Sequence, residues 1–277
     1  MDLKGNGYRL VFEENFDGGM ETNKWKALDE TVKAHSAKDN KETVPTHVNT
    51  QAASKHAGAE LHYIPENVCC ENGELVIRAD RDRDGDGFTG GKAVCNGFVF
   101  SYGYIEVTAL VPDFQNGVWP VFGFCGTDGT VYKPMVDIIA VHGAKGKNAA
   151  GMYMKWTDDI YETQHSVNCL YDAEDRYRRF YPSSRVPDKL TPGYHVFAVE
   201  WTKDRLKYSC DGEVYCQVDI TAKPFDTFTC GALVKLTAGL SVGLPNIDPP
   251  DANTVLPTEF KIKNIKVYQN DGIFVKR

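Results

Sequence analysis

The sequence predicts an all-β protein, an antiparallel β-sandwich forming a single domain over residues 1–277. Three observations carry this. Period-2 alternation of apolar and polar residues recurs along the chain, whereas long stretches of period 3.6 do not. Gly, Pro, Asn and Asp punctuate the alternating runs, as tight turns require. Many strands without intervening helices exclude a covered parallel sheet and leave two antiparallel layers.

The expected strands follow in chain order. Tyr8–Phe12 opens the series, and in Glu74–Ala79 the side chains of Leu75, Ile77 and Ala79 share one face while Glu74, Val76 and Arg78 take the other. Phe98–Leu110 is broken at Tyr102-Gly103, and Trp119–Cys125, Val136–Val141 and Met152–Trp156 come next. Tyr194–Trp201 precedes Leu206–Asp219, whose centre holds Asp211-Gly212, a strong two-residue hairpin signal. Leu233–Ala238 and Glu259–Gln269 complete the set. Helix is expected only briefly, around Ala173–Phe180 and Ile220–Lys223. There is no repeat, low-complexity tract or linker-like shift in composition.

The chain has 277 residues, 42% hydrophobic and 25% charged, within the ordinary globular range. The 38 acidic residues outnumber the 31 basic ones, giving a net charge of −7. Such a chain has no general electrostatic pull toward nucleic acid or anionic lipid, so neither partner is expected. A monomer is expected. No apolar run approaches the ~18 residues of a spanning helix, and the opening MDLKGNGYRL lacks a signal-peptide core. Two locations stay open, the cytoplasm and the cell exterior or surface after signal removal.

None of the eight cysteines forms a CxxC pair, so the usual zinc and redox spacings are absent. Cys210 and Cys216 flank the hairpin signal, but its register sets Cys216 opposite Lys207, and free thiols are expected. The polar segment Thr31–Gly58 carries His35, His47 and His56 without ligand spacing. No metal and no cofactor are expected. Asp80-x-Asp82-x-Asp84-Gly85 is similar to the start of a calcium loop, but its twelfth position is Gly91, which favours an exposed acidic hairpin. The cluster Arg176-Tyr177-Arg178-Arg179-Phe180-Tyr181 reads either as a solvated face or as a site for a charged glycan.

Six segments together resemble glycoside hydrolase family 16, the jelly-roll endo-β-glycanases that include laminarinases, lichenases and agarases. They are YRLVFEENFDGG with its following NKW, NGELVIRA, FSYGYIEVTALVPDFQNGVWPVFGF, VDIIAVHG, YHVFAVEWTKDRLKYSCDGEVY and EFKIKNIKVYQ, in family order and over most of the chain. The resemblance implies a jelly roll of the concanavalin A-like lectin and glucanase type. It also implies a concave cleft for a β-linked polysaccharide or oligosaccharide.

Members with this spacing carry Glu-x-Asp-x-x-Glu on one strand. A retaining glycosidase needs a carboxylate nucleophile and a carboxylic acid–base about 5–5.5 Å apart. Residues two apart on a strand share a face, and the extra residue before the last Glu implies a bulge that returns it to that face. Here the stretch reads Met135-Val136-Asp137-Ile138-Ile139-Ala140-Val141-His142. By resemblance Met135 stands at the nucleophile position and Ala140 at the acid–base position, so Asp137 is the residual carboxylate. A thioether cannot carry a glycosyl ester, and a methyl group cannot protonate a leaving oxygen.

The resemblance also sets Met154 where many relatives have a cleft His, and Gly123 where an aromatic is usual, which would widen or flatten the cleft locally. Asn15 and Lys263 stand at the positions of a structural calcium site in relatives, so that site is not expected. Trp119 and Trp156 are candidates for sugar stacking, with core packing as the alternative. Asp137, His142 and Met154 complete the expected ligand-binding set. Trp25 and Trp201 are expected in the core.

The leading functional reading is a degenerate family 16 protein that binds a β-glucan or galactan in a concave cleft without efficient hydrolysis. Two alternatives remain. One is an endo-β-glycanase that hydrolyses O-glycosidic bonds, either active through displaced carboxylates or inactivated in the laboratory. The other is a structural or interaction protein with no sugar ligand.

Overall fold

Alternation of large apolar with polar side chains can bury one face of a strand at a time, and two sheets packed face to face satisfy that pattern. The computed structural model describes residues 3–20, 24–32, 61–84, 87–113, 115, 117–127, 135–140, 162–164, 167–171, 176–180, 183–185, 193–221, 231–243 and 250–270. Among these, strands β1 (Tyr8–Glu14), β2 (Trp25–Ala27), β3 (Glu30–Val32), β4 (Leu61–Tyr63), β5 (Val68–Glu71), β6 (Glu74–Arg81) and β7 (Phe88–Cys95) come first. Next are β8 (Gly103–Leu110), β9 (Val118–Gly126), β10 (Met135–Ala140), β11 (Glu162–Gln164), β12 (Val167–Tyr171), β13 (Arg176–Phe180) and β14 (Ser183–Arg185). The series ends with β15 (His195–Trp201), β16 (Arg205–Cys210), β17 (Glu213–Asp219), β18 (Val234–Val242) and β19 (Thr258–Asn270).

The outer layer is built on β19, which pairs with β8 on one side and with β1 and β6 on the other. From β8 it continues through β15 and β16 to β17. The inner layer runs β13-β12-β10-β9-β18-β7-β2, and β3-β4 joins it through a parallel pairing of β4 with β7. Almost every pairing is antiparallel, and the fold is the jelly-roll sandwich expected.

Aromatic side chains fill the space between the layers. Phe124 of β9 stacks on Trp201 of β15 with ring centroids 5.2 Å apart, and Tyr102 tilts against the same indole at 4.9 Å. Trp25 packs beside Phe16 at 6.0 Å. Such pairs contribute about 0.5–1.5 kcal/mol beyond their buried area. Trp25 and Trp201 are buried, as core residues should be.

Several expectations are corrected. Arg176–Phe180 is a strand, not a helix, pairing from Tyr171↔Arg176 to Val167↔Phe180. A helix nucleus costs more than a five-residue segment recovers, whereas Tyr177 and Phe180 suit a strand with a ready partner. Ile220 and Thr221 are not helical either: Asp219 accepts both the N–H and the hydroxyl of Thr221, a local bond that competes with helix. A bulge between Tyr208 and Ser209 shifts the hairpin so that Cys216 faces Tyr208, not Lys207. The conclusion drawn from that register stands, for Cys210 faces Glu213 and neither cysteine is in a disulfide. The acidic segment forms a hairpin turn, with Asp80 opposite Thr89 and Arg81 opposite Phe88. The strand expected over Met152–Trp156 lies outside the described residues.

Candidate functional site

Strand β10 pairs with β9 as Met135↔Cys125, Val136↔Phe124 and Asp137↔Gly123, then as Ile139↔Phe122 and Ala140↔Val121. Ile138 is the extra residue of a bulge. Without it, positions 137 and 140 would fall on opposite faces; with it, 135, 137 and 140 share one face with Cys125, Gly123 and Val121. The opposite face of β9 carries Phe124, which packs against the outer layer. The 135/137/140 face is therefore the one opposite Phe124; Asp137 and Ala140 on it are buried, and it is termed the cleft face below.

Cross-strand rows extend this face. One runs Ala140, Val121, Gly239, Lys92 across β10, β9, β18 and β7. A second runs Asp137, Gly123, Thr237, Val94, Lys26 and reaches β2. A third begins with Trp119 opposite Ser241. Trp119 thus belongs to the cleft face, although it is only 8% exposed and also packs with the core residues.

The expected widening at Gly123 is not found. A Cβ placed there would lie 2.0 Å from the Val136 carbonyl oxygen and 2.9 Å from the Asp137 Cα. The backbone of β10 occupies the space a side chain would take, and glycine is what permits that approach. Asp137 beside it is wholly buried. Its charge is felt by Tyr208, whose phenol is held well above the ordinary range by burial first, then by Cys216 and by Asp137.

A second polar group sits where β3, β4, β7 and β18 meet. Lys92 is buried, and its Nζ lies 3.0 Å from Glu30 Oε2 and 5.6 Å from the centre of the Tyr63 ring. The Tyr63 hydroxyl shares a 2.5 Å hydrogen bond with Ser241 Oγ. Burial raises the Tyr63 phenol well above its usual value, the Ser241 bond opposes that shift, and the Glu30 charge adds to it. Space for the tyrosine comes from Gly90, where a Cβ would meet the Leu240 carbonyl oxygen at 2.4 Å and the Tyr63 ring at 3.3 Å.

Of the residues singled out in the sequence, the structure brings Asp137, Ala140, Trp119 and the backbone position of Met135 onto one face. His142, Met154 and Trp156 lie outside the described residues. Glu30, Tyr63, Lys92, Thr237 and Ser241 escaped the sequence reading. Lys92 left a usable signal, as the only charge in the strand FTGGKAVC. Glu30 and Tyr63 left none, because β3 and β4 are three residues long and show no period, and Thr237 and Ser241 read as ordinary residues of the strand β18. Asn15 Oδ1 accepts the Asp17 N–H at 3.3 Å, and Lys263 Nζ lies 5.7 Å over the Tyr194 ring.

A two-layer jelly roll with polar and aromatic side chains lined up across its inner sheet is the architecture of the β-glucanase-like sandwiches. The chain belongs to the glycosyl hydrolases family 16, whose pattern it matches over residues 55–243. It is 27% identical over 175 residues to the endo-1,3-1,4-beta-glycanase EglC of Rhizobium meliloti, covering 63% of this chain and 32% of that protein. It is 26% identical over 218 residues to the clotting factor G alpha subunit of Tachypleus tridentatus, covering 76% of this chain and 29% of that one. The chain therefore spans about a third of the length of these two relatives. In fold it is similar to the catalytic domain of an endo-1,3-beta-glucanase (laminarinase) from Thermotoga petrophila, with a TM-score of 0.68 and 22% identity over 95% of this chain and 98% of that one.

Proposed function

We propose that this protein binds a β-linked glucan or galactan on the cleft face and does not hydrolyse it efficiently. One observation carries the reading. The bulged register of β10 gathers positions 135, 137 and 140 on one face, and the residues there are Met, Asp and Ala. The family mechanism needs two carboxylates flanking the scissile bond; one cannot serve as nucleophile and acid–base together. Asp137 is the residual member of the motif and, being wholly buried, serves neighbouring polar groups of the cleft wall. Trp119, on the same face, supplies an aromatic surface for a pyranose ring. Names of relatives such as endo-1,3-1,4-beta-glycanase and laminarinase support a β-glucan over other polymers.

The test is a reducing-end assay on laminarin, mixed-linkage glucan, agarose and carrageenan beside affinity electrophoresis on the same panel. Retarded migration with at least one polymer, weakened in Trp119→Ala, is expected without sustained release of reducing ends. Robust turnover abolished by Asp137→Ala would overturn the reading in favour of an enzyme. Absence of binding to every polymer would favour an interaction protein that no longer sees sugar.

A further inference from the structure

Away from the cleft face, three side chains with different donor atoms converge at one corner of the outer layer. His195 opens β15, Cys210 closes β16, and Asp211 is the first residue of the turn to β17. Asp211 and Gly212 both adopt positive φ, +49° and +84°, which makes a tight two-residue hairpin. Cys210 pairs with Phe197 across β15, so His195, two residues earlier, is on the face that Cys210 shares.

The turn is clamped to β15 from both sides. The Asp211 N–H donates to the Val196 carbonyl at 2.8 Å, and the Val196 N–H donates to Asp211 Oδ1 at 2.8 Å. With one carboxylate oxygen held in this way, the other lies 2.7 Å from His195 Nδ1. Cys210 is buried, 4% exposed, and is in no disulfide. One donor atom from each of the three side chains lies within 4.8 Å of the others, and no second such trio occurs among the described residues.

We propose that His195, Cys210 and Asp211 bind one divalent cation of the zinc class, which staples β15 to the β16–β17 hairpin. The donor set decides the class of metal. Calcium and magnesium take oxygen ligands, whereas one imidazole nitrogen, one thiolate and one carboxylate suit zinc or its cobalt(II) substitute. Ligands bound about 2.0–2.3 Å from a tetrahedral ion lie about 3.3–3.8 Å from one another. To reach this, His195 and Asp211, now 2.7 Å apart, must part slightly, and the Cys210 sulfur, within 4.8 Å of both, must close on them. The Val196 N–H bond remains to orient the carboxylate, as supporting hydrogen bonds do for metal ligands. On binding, the Cys210 thiol releases its proton to solvent, a metal–sulfur bond forms, and no electrons are transferred. Glu213, opposite Cys210 in the hairpin, or a water completes the fourth position.

The experiment uses the full chain, stripped with a chelator and titrated separately with zinc and cobalt(II). One zinc per chain, a rise in melting temperature and a thiolate-to-cobalt charge-transfer band in the near ultraviolet are expected. Cys210→Ser should abolish the band, and Cys69→Ser/Cys70→Ser should leave it unchanged. Asp211→Asn keeps a residue that tolerates the left-handed turn, so it should fold like the parent and bind about tenfold more weakly or worse. Failure of the parent to retain zinc, a cobalt–thiolate band that survives Cys210→Ser, or unchanged affinity in Asp211→Asn each overturns the site. The last two outcomes would leave His195–Asp211 as a hairpin cap and nothing more.

Discussion

The two ends of the cleft face have been treated differently. At the β3–β4–β7–β18 end, buried polar groups are tied to one another: Lys92 to Glu30, and Tyr63 to Ser241. At the β10 end, the bulge at Ile138 sets one carboxylate, Asp137, on a face between positions held by Met and Ala. On the function proposed above, backbone geometry and side-chain chemistry have separated here. A bulge persists because it sets the pairing of β10 with β9 and lets Gly123 accept the β10 backbone at close range. That structural role does not depend on what the side chains at 135 and 140 can do.

On the function proposed above, supplying two carboxylates at the β10 end should produce the largest effect. In Met135→Glu/Ala140→Glu both carboxylates would stand beside Asp137 on the cleft face. Nucleophile and acid–base act as a unit, and losing either commonly costs orders of magnitude in rate. Laminarin or mixed-linkage glucan hydrolysis should rise above the parent's background in the double variant and in neither single variant. The melting temperature should fall, since carboxylates replace apolar groups where Asp137 and Ala140 are already buried. A double variant that melts like the parent and stays inactive would mean that the two new carboxylates do not meet in an enclosed site.

The other end is tested by separating its charges. Glu30→Gln leaves the ammonium of buried Lys92 without the carboxylate 3.0 Å away. Breaking such a pair from one side costs about 3–5 kcal/mol when both partners are buried. Glu30 is partly exposed, so about 2–3 kcal/mol is the expected loss in chemical denaturation. Lys92→Met should cost less, because Glu30 can turn to water. Equal losses in the two variants would show that the position tolerates no change of shape, and that charge is not what matters there.

The sandwich was legible because alternation is a property of the sequence itself. Glu74–Ala79 and Glu259–Gln269 read as strands with nothing else known. Phe88–Cys95 did not: β7 lies inside the inner layer and is buried on nearly every residue, so FTGGKAVC shows no period. The bulge at Ile138 was legible from motif spacing, since three carboxylate positions could share a face only with an inserted residue. The Glu30–Lys92–Tyr63–Ser241 group was not, because its members are far apart in sequence and meet only through strand pairings. His195 and Cys210 escaped for the same reason. No ligand spacing joins them, and hairpin register brings them together.

The smallest expected effect compares the cleft face with the outer layer through two phenols. Tyr63 is raised by burial, and Tyr8 of the outer layer by burial and then by the charge of Glu200, which accepts its hydroxyl at 3.1 Å. In the unfolded chain a tyrosine loses its proton near pH 10, about its ordinary value. A phenol with a higher folded value is still protonated there, so the native state holds more protons than the unfolded one. Its stabilising contribution is complete below about pH 10 and is lost as pH rises through the folded value. Unfolding free energy should therefore decline above pH 10, by at most about 1.4 kcal/mol per pH unit for each such phenol. Burial is the first cause for both phenols, so the two should contribute comparable shares. Tyr63→Phe loses its bond to Ser241 and is offset at every pH, so the informative quantity is the slope. A shallower alkaline slope than the parent's in both Tyr63→Phe and Tyr8→Phe is the expected result of denaturation curves taken between pH 9 and 11. Equal slopes in Tyr63→Phe and the parent would mean that hydroxide reaches Tyr63 without unfolding the sandwich. The polar end of the cleft face would then open locally, and its closure could no longer be contrasted with the β10 end.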